Sequence, residues 1–342
     1  MKKYLFMAAV AGLTLTSCSQ EELSVPVAEN NEITFALPVV GKNTRAVTET
    51  GKNYNDQPFA VWAKYTETPA SKWSEGVFYI NGDNGVEASY TGRVNGWAFA
   101  NPYYWPKNGY LSFIAYSPVA AKATVTNDGI QFTNYVVGTD ADVDLLFSEV
   151  ARNKQSSADE VTTNPYEGVN IAFKHALSSV RFAVKTKDVY TGTTIKVQKI
   201  EVLKACSKGT FNQGLELAAG NVTDSAEPCW SGQTAKTDYT AFDGDITVEP
   251  GAKYVHNDAS NATTDMTDLI LLPQSLSGVQ VQLTYTIKSA DSAALPQTTT
   301  LDLGGEWFRG TRYTYTIVFG LNEIYLDPTV EDWKDVSSSP EI

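Results

Sequence analysis

The chain has 342 residues, of which 42% are hydrophobic and 19% charged, and its formal net charge is −13. So much apolar character excludes a wholly disordered chain, and the acidity excludes a nucleic-acid binder, whose phosphates call for a basic face. With 18 Tyr and 14 Phe among scattered Gly and Pro, the composition suits short strands joined by turns better than helices.

Lys2 and Lys3 precede an apolar stretch over residues 5–15 that is too short to span a bilayer. It ends in Leu15-Thr16-Ser17-Cys18, the pattern of a bacterial lipoprotein signal. Residues 1–17 therefore read as a signal peptide and Cys18 as the lipidation site. Its thiolate takes the diacylglyceryl group, and after cleavage Cys18 ties the chain to the outer membrane. Residues 18–31 have the composition of a tether.

The first strand is expected over residues 32–38, with Ile33, Phe35 and Leu37 on one face. A polar segment, 41–56, follows and carries Arg45 and Ala46; the next strand reads over 59–65. The run 110–116 is a clear strand that Pro118 stops. Residues 153–163 are polar and poor in apolar side chains, so the junction falls there, dividing 32–160 from 161–342. Beyond it, Val169, Ile171 and Phe173, then Val180, Phe182 and Val184, mark two more strands. Val279, Val281, Leu283, Tyr285 and Ile287 alternate with polar residues, as in a strand with one wet face. Tyr313, Tyr315, Ile317 and Phe319 repeat the pattern. No long amphipathic helix appears, so the fold class is all-β, with two β-sandwich domains in tandem.

Chemistry is sparse. His175 and His256 are the two histidines, and neither stands in a motif that supplies a nucleophile and an orienting acid. The chain therefore reads as a non-enzyme without cofactors. Asp140, Asp142 and Asp144 alternate, but a calcium loop would place Gly and an acid where Leu145 and Ala151 stand. They read as the entry to a strand. Trp97, Phe99, Tyr103, Tyr104 and Trp105 read as core, with a sugar-stacking platform as the alternative. For Cys206 and Cys229, an oxidising compartment permits a disulfide, and two buried thiols fit equally well.

Several fragments fall in a telling order. They are the lipobox at Cys18, Asn43-Thr44-Arg45-Ala46, Tyr103-Tyr104-Trp105-Pro106, Ile171-Ala172-Phe173-Lys174-His175-Ala176-Leu177, Leu271-Leu272-Pro273-Gln274, and Trp307 with Gly310, Tyr313 and Tyr315. In this order the chain resembles the fimbrillin (Mfa-like) family, lipoprotein precursors that build surface pili. The resemblance implies two transthyretin-like β-sandwiches and a structural or adhesive subunit of a fimbrium at the cell surface. It implies cleavage between Arg45 and Ala46, release of the strand bearing Ile33, Phe35 and Leu37, and refilling of the groove by a neighbouring subunit's strand. Ile324, Leu326 and Val330 alternate in the tail and form the candidate donor; they fit equally a last strand in their own sheet, with Trp333 closing that core. The implied partners are other fimbrial subunits, in a homo- or hetero-polymer, and a host protein or glycan. A monomeric, glycan-binding surface lipoprotein is the alternative reading.

Overall fold

The computed structural model describes residues 27–36, 38–40, 57–91, 96–156, 168–215, 229–255, 268–290, 292–320 and 323–333. In chain order the strands begin with β1 (Val27–Glu32), β2 (Val39–Val40), β3 (Phe59–Thr66), β4 (Val77–Ile80), β5 (Val86–Tyr90), β6 (Trp97–Phe99), β7 (Tyr104–Pro106) and β8 (Tyr110–Ser117). They continue with β9 (Thr124–Thr126), β10 (Gly129–Val136), β11 (Leu146–Ser148), β12 (Ala151–Lys154), β13 (Ala172–His175), β14 (Ser178–Thr186), β15 (Thr193–Asn212) and β16 (Trp230–Thr247). The last are β17 (Lys253–Tyr254), β18 (Leu269–Leu271), β19 (Gln274–Ser275), β20 (Gln280–Ser289), β21 (Leu295–Asp302), β22 (Glu306–Trp307), β23 (Thr311–Phe319) and β24 (Ile324–Asp332). The fold is all-β, as the composition and the alternating runs imply.

Toward the N-terminus lies a nine-stranded sheet in the order β2-β13-β11-β8-β3-β5-β6, with β12 on β8 and β4 on β3. Its strand β3 lacks the alternation of a half-wet strand because both of its faces are covered. Phe59, Val61 and Ala63 pack into one core and Ala60 and Trp62 into the other. Residue parity thus assigns each side chain to its core.

Toward the C-terminus two sheets pack face to face as a β-sandwich. One has the order β21-β20-β15-β10-β9 with β16 on β15; the other runs β17-β14-β23-β24 with β18 on β14. Val197, Ile200, Val281 and Leu283 of the first share a core with Val180, Phe182, Tyr315 and Ile317 of the second. Across the gap, the Tyr285 and Phe319 rings meet edge-on at 5.4 Å. The alternation expected around Val281 appears in β20, whose odd-numbered residues Val281, Leu283 and Tyr285 are buried. Pairings cross residue 160 in both directions: β10 joins the C-terminal sheet through β15, and β13 joins the N-terminal sheet through β11 and β2.

Candidate functional site: the strand that closes the N-terminal sheet

The segment of residues 33–36 and 38–40 lies between the two ends of the N-terminal sheet. On one side, the Phe35 N–H donates to the Trp97 carbonyl at 2.8 Å and the Trp97 N–H returns a bond to Phe35 at 3.2 Å, an antiparallel pair with β6. On the other side, the Val169 N–H donates to the Thr34 carbonyl at 2.8 Å and the Ala36 N–H to the Val169 carbonyl at 3.1 Å. Val39 and Val40 continue this side as β2, parallel to Ala172 and Phe173 of β13. The Ile33 N–H donates to the Tyr103 carbonyl at 2.7 Å. The segment is therefore a closing strand, hydrogen-bonded along both edges.

Its side chains explain why it stays. Ile33 and Val40 are fully buried and Phe35 is 1% exposed. The Phe35 ring meets Phe59, Phe99 and Phe113 edge-on, with centroids 5.4, 5.3 and 5.9 Å away. Burial of each such side chain contributes about 1.5–3 kcal/mol, and well-oriented ring pairs add roughly 0.5–1.5 kcal/mol. Ala36 is buried as well, so both faces of the strand are covered. Leu37 lies outside the described residues, as do Cys18, Arg45, Ala46 and His256.

Gly168 sets the fit on the β13 side. A Cβ there would lie 2.4 Å from the Phe35 carbonyl carbon and 2.6 Å from the Ala36 nitrogen. The two backbones approach so closely that only a residue without a side chain serves. Nothing in the sequence pattern marks this glycine, because its partner stands more than a hundred positions earlier in the chain.

The other residues singled out in the sequence fall into structural roles. His175 donates from Nδ1 to the Asp144 carboxylate at 2.7 Å, with both side chains buried. Its ring stacks on Trp333 at 3.7 Å and 10°. Asp144 thus holds a histidine, and among the described residues no cluster of His, Cys, Asp and Glu could hold a metal ion. Burial pushes the hydroxyls of Tyr116, Tyr239 and Tyr315 up to about 12, so these phenols stay neutral. Trp97, Phe99 and Trp105 are core residues, and of that aromatic run only Tyr104 is exposed.

Cys206 and Cys229 are both free thiols, the second of the two readings that the sequence leaves open. Cys206 stands opposite Lys236, whereas Cys229 accepts a bond from the Asn212 N–H. Six residues of β15 separate those positions, roughly 20 Å at the strand rise and far beyond disulfide reach. The tail lies in its own sheet: β24 pairs antiparallel with β23 from Phe319–Ile324 to Thr311–Asp332. Ile324 and Leu326 are half-buried against the C-terminal core, Trp333 is buried, and Val330 is 62% exposed.

The sequence model of the fimbrillin-like family matches residues 44–333. The chain belongs to the fimbrillin-like family. The matched span opens one residue before Arg45 and ends at Trp333, so it omits the closing strand. Among solved structures, the fimbrillin-like chain is similar to a fimbrial protein from Bacteroides vulgatus. That similarity has 18% identity and a TM-score of 0.58, covering 89% of this chain and 100% of the other. A candidate cell adhesion protein from Bacteroides uniformis is similar at 17% identity and a TM-score of 0.49, covering 89% of this chain and 99% of the other. A fimbrial assembly protein from Parabacteroides distasonis has 13% identity and a TM-score of 0.40, covering 88% of this chain and 100% of that one. No curated protein matches the chain.

Proposed function

We propose that this fimbrillin-like chain is a structural or adhesive subunit of a cell-surface fimbrium, exported as a lipoprotein precursor through Cys18, and that its first strand is removable. Its role is mechanical and not catalytic. The observation that carries the reading is the double pairing of Phe35, to Trp97 on one side and to Val169 on the other. Cleavage between Arg45 and Ala46 cuts the chain just after that strand. Departure of the strand then leaves two unpaired sheet edges and an apolar slot lined by Phe59, Phe99, Phe113 and Phe173. Such a slot is satisfied by an extended segment that restores the main-chain bonds and fills the alternate pockets. A neighbouring subunit supplies that segment, running antiparallel to β6 and parallel to β13 as the present strand does. A neighbour's tail, presenting Ile324, Leu326 and Val330, is the candidate occupant.

The test uses the precursor without residues 1–18 and trace trypsin. Cleavage after Arg45 should be followed by loss of the N-terminal fragment and by a ladder of detergent-resistant oligomers. A labelled peptide of residues 27–40 should bind the cut chain and suppress that ladder. A cut chain that keeps its fragment and binds no peptide would refute strand release.

A further inference from the structure

Strand β24 is the outermost strand of its sheet, and little apolar burial holds it there. From Asp327 to Asp332 every residue is exposed. Three acids nonetheless follow a rule: Glu323, just before the strand, and Asp327 and Glu331 within it stand four residues apart and so share one face, whereas Asp332 falls outside the spacing. Each reaches over β23 to a base on or just beyond β14. Glu331 lies 2.8 Å from Arg181, Asp327 3.4 Å from Lys185, and Glu323 3.5 Å from Lys187.

The ladder is tightest at Glu331. Arg181 is already aimed: its Nε donates to the Thr314 hydroxyl at 2.8 Å, and its guanidinium lies 4.8 Å from the Tyr254 ring. A second guanidinium, Arg312, stands 3.6 Å from the same carboxylate and is anchored at 3.1 Å to the buried Asp268. Planar, fixed guanidinium groups of this kind recognise a carboxylate by position and not merely by charge.

Main-chain bonds alone do not fix the register of an edge strand, because a shift of two residues restores them with the same faces inward. Such a shift would bring Thr329 or Trp333 to Arg181 in place of Glu331, and Tyr325 or Thr329 to Lys185 in place of Asp327. It would also draw Trp333 off His175.

We propose that Arg181, Lys185 and Lys187 are a register key. They make the outer edge of β23 a dock for a strand with acids four residues apart, filled here by the chain's own C-terminal strand and loosened by salt. Where the tail serves as donor this rests on the strand exchange proposed above, and the key then sets how readily the tail is given up.

The experiment is amide hydrogen exchange on the intact, uncut chain across a salt series. At about 1 M NaCl the Debye length falls to about 3 Å. Weakening three partly exposed ion pairs should then speed exchange of residues 324–332 by about tenfold, while the β20–β21 hairpin stays unchanged. Glu331→Gln should speed tail exchange at low salt and remove most of the salt response. Lys185→Glu and Asp327→Lys should each speed it, and the double variant should return to within about twofold of the natural chain. Salt-independent exchange of the tail in the natural chain, which needs no variant to fold, would overturn the key. So would single variants that the double one does not rescue. Because the uncut chain releases no strand, that failure leaves strand exchange standing. A salt-sensitive tail in a chain that is cut but never polymerises would refute only the exchange.

Discussion

The chain has two alternating apolar strands near its ends, and they are held by opposite means. The closing strand at the N-terminal end has both edges paired and both faces covered, with Ile33 and Val40 fully buried. The β24 strand has one edge paired, carries acids on its outer face, and leaves Val330 62% exposed. The first is fixed by packing, which salt scarcely touches. The second is held in register by charge, which is cheap to loosen and easy to re-form. Under the strand exchange proposed above, the strand to be released and the strand to be presented would stand on different physical controls.

Breaking the packed side of this contrast should have the largest effect. Phe35→Ala removes a ring that touches three others in a dry core, and should cost about 3–5 kcal/mol. Denaturant unfolding should register the loss, and trypsin should find the N-terminal region open while the β20–β21 hairpin keeps its exchange protection. A cost below about 1 kcal/mol would mean that the pocket closes without the ring, and that the closing strand contributes little.

The next effect tests shape without touching the strand itself. Gly168→Ala places a methyl group against the backbone of Phe35 and Ala36, so one neighbour must shift, at about 1–3 kcal/mol. Exchange at Phe35 and Ala36 should rise, and the cut variant should bind the 27–40 peptide more weakly than the natural chain. Unchanged affinity would show that an exchanged strand follows a path different from that of the present one.

These contacts were unequally legible. The sequence displays both alternations, Ile33 with Phe35 and Ile324 with Leu326, because apolar spacing is a local property. Whether the opposite face is wet depends on what the fold lays over it, and Ala36 is too small to signal burial. Glu323, Asp327 and Glu331 were the readable sign that the tail is different, since regularly spaced acids do not enter a dry core. The approach of Gly168 to Phe35 was unreadable, because a glycine in a polar stretch looks like any turn. The even pair of cysteines invited a bond that the register of β15 and β16 prevents. The polar stretch near residue 160 was visible, but not the return of β13 to the first sheet, because Phe173 is equally apolar in either sheet.

The smallest effect sharpens the charged side of the contrast, because the tail's three ion pairs to Arg181, Lys185 and Lys187 are graded. Arg181 keeps 12% of its side chain exposed beside Glu331, whereas Lys187 and Glu323 are 54% and 61% exposed. Coulomb attraction weakens with distance and with water around the pair, and a mobile lysine loses more side-chain freedom than a fixed guanidinium. Lys187→Ala should therefore change stability by less than about 0.5 kcal/mol. Arg181→Met should cost more, since Glu331 then keeps only the longer contact to Arg312 and Tyr254 loses its cation. Thermal melting of both variants at low and high salt separates the two sites. The difference between them should shrink as salt rises, and the part that persists measures the contacts of Arg181 with Tyr254 and Thr314. Equal costs for the two variants would mean that all three acids are held by diffuse field alone, and that the tail is attracted to its sheet without being told where to stop.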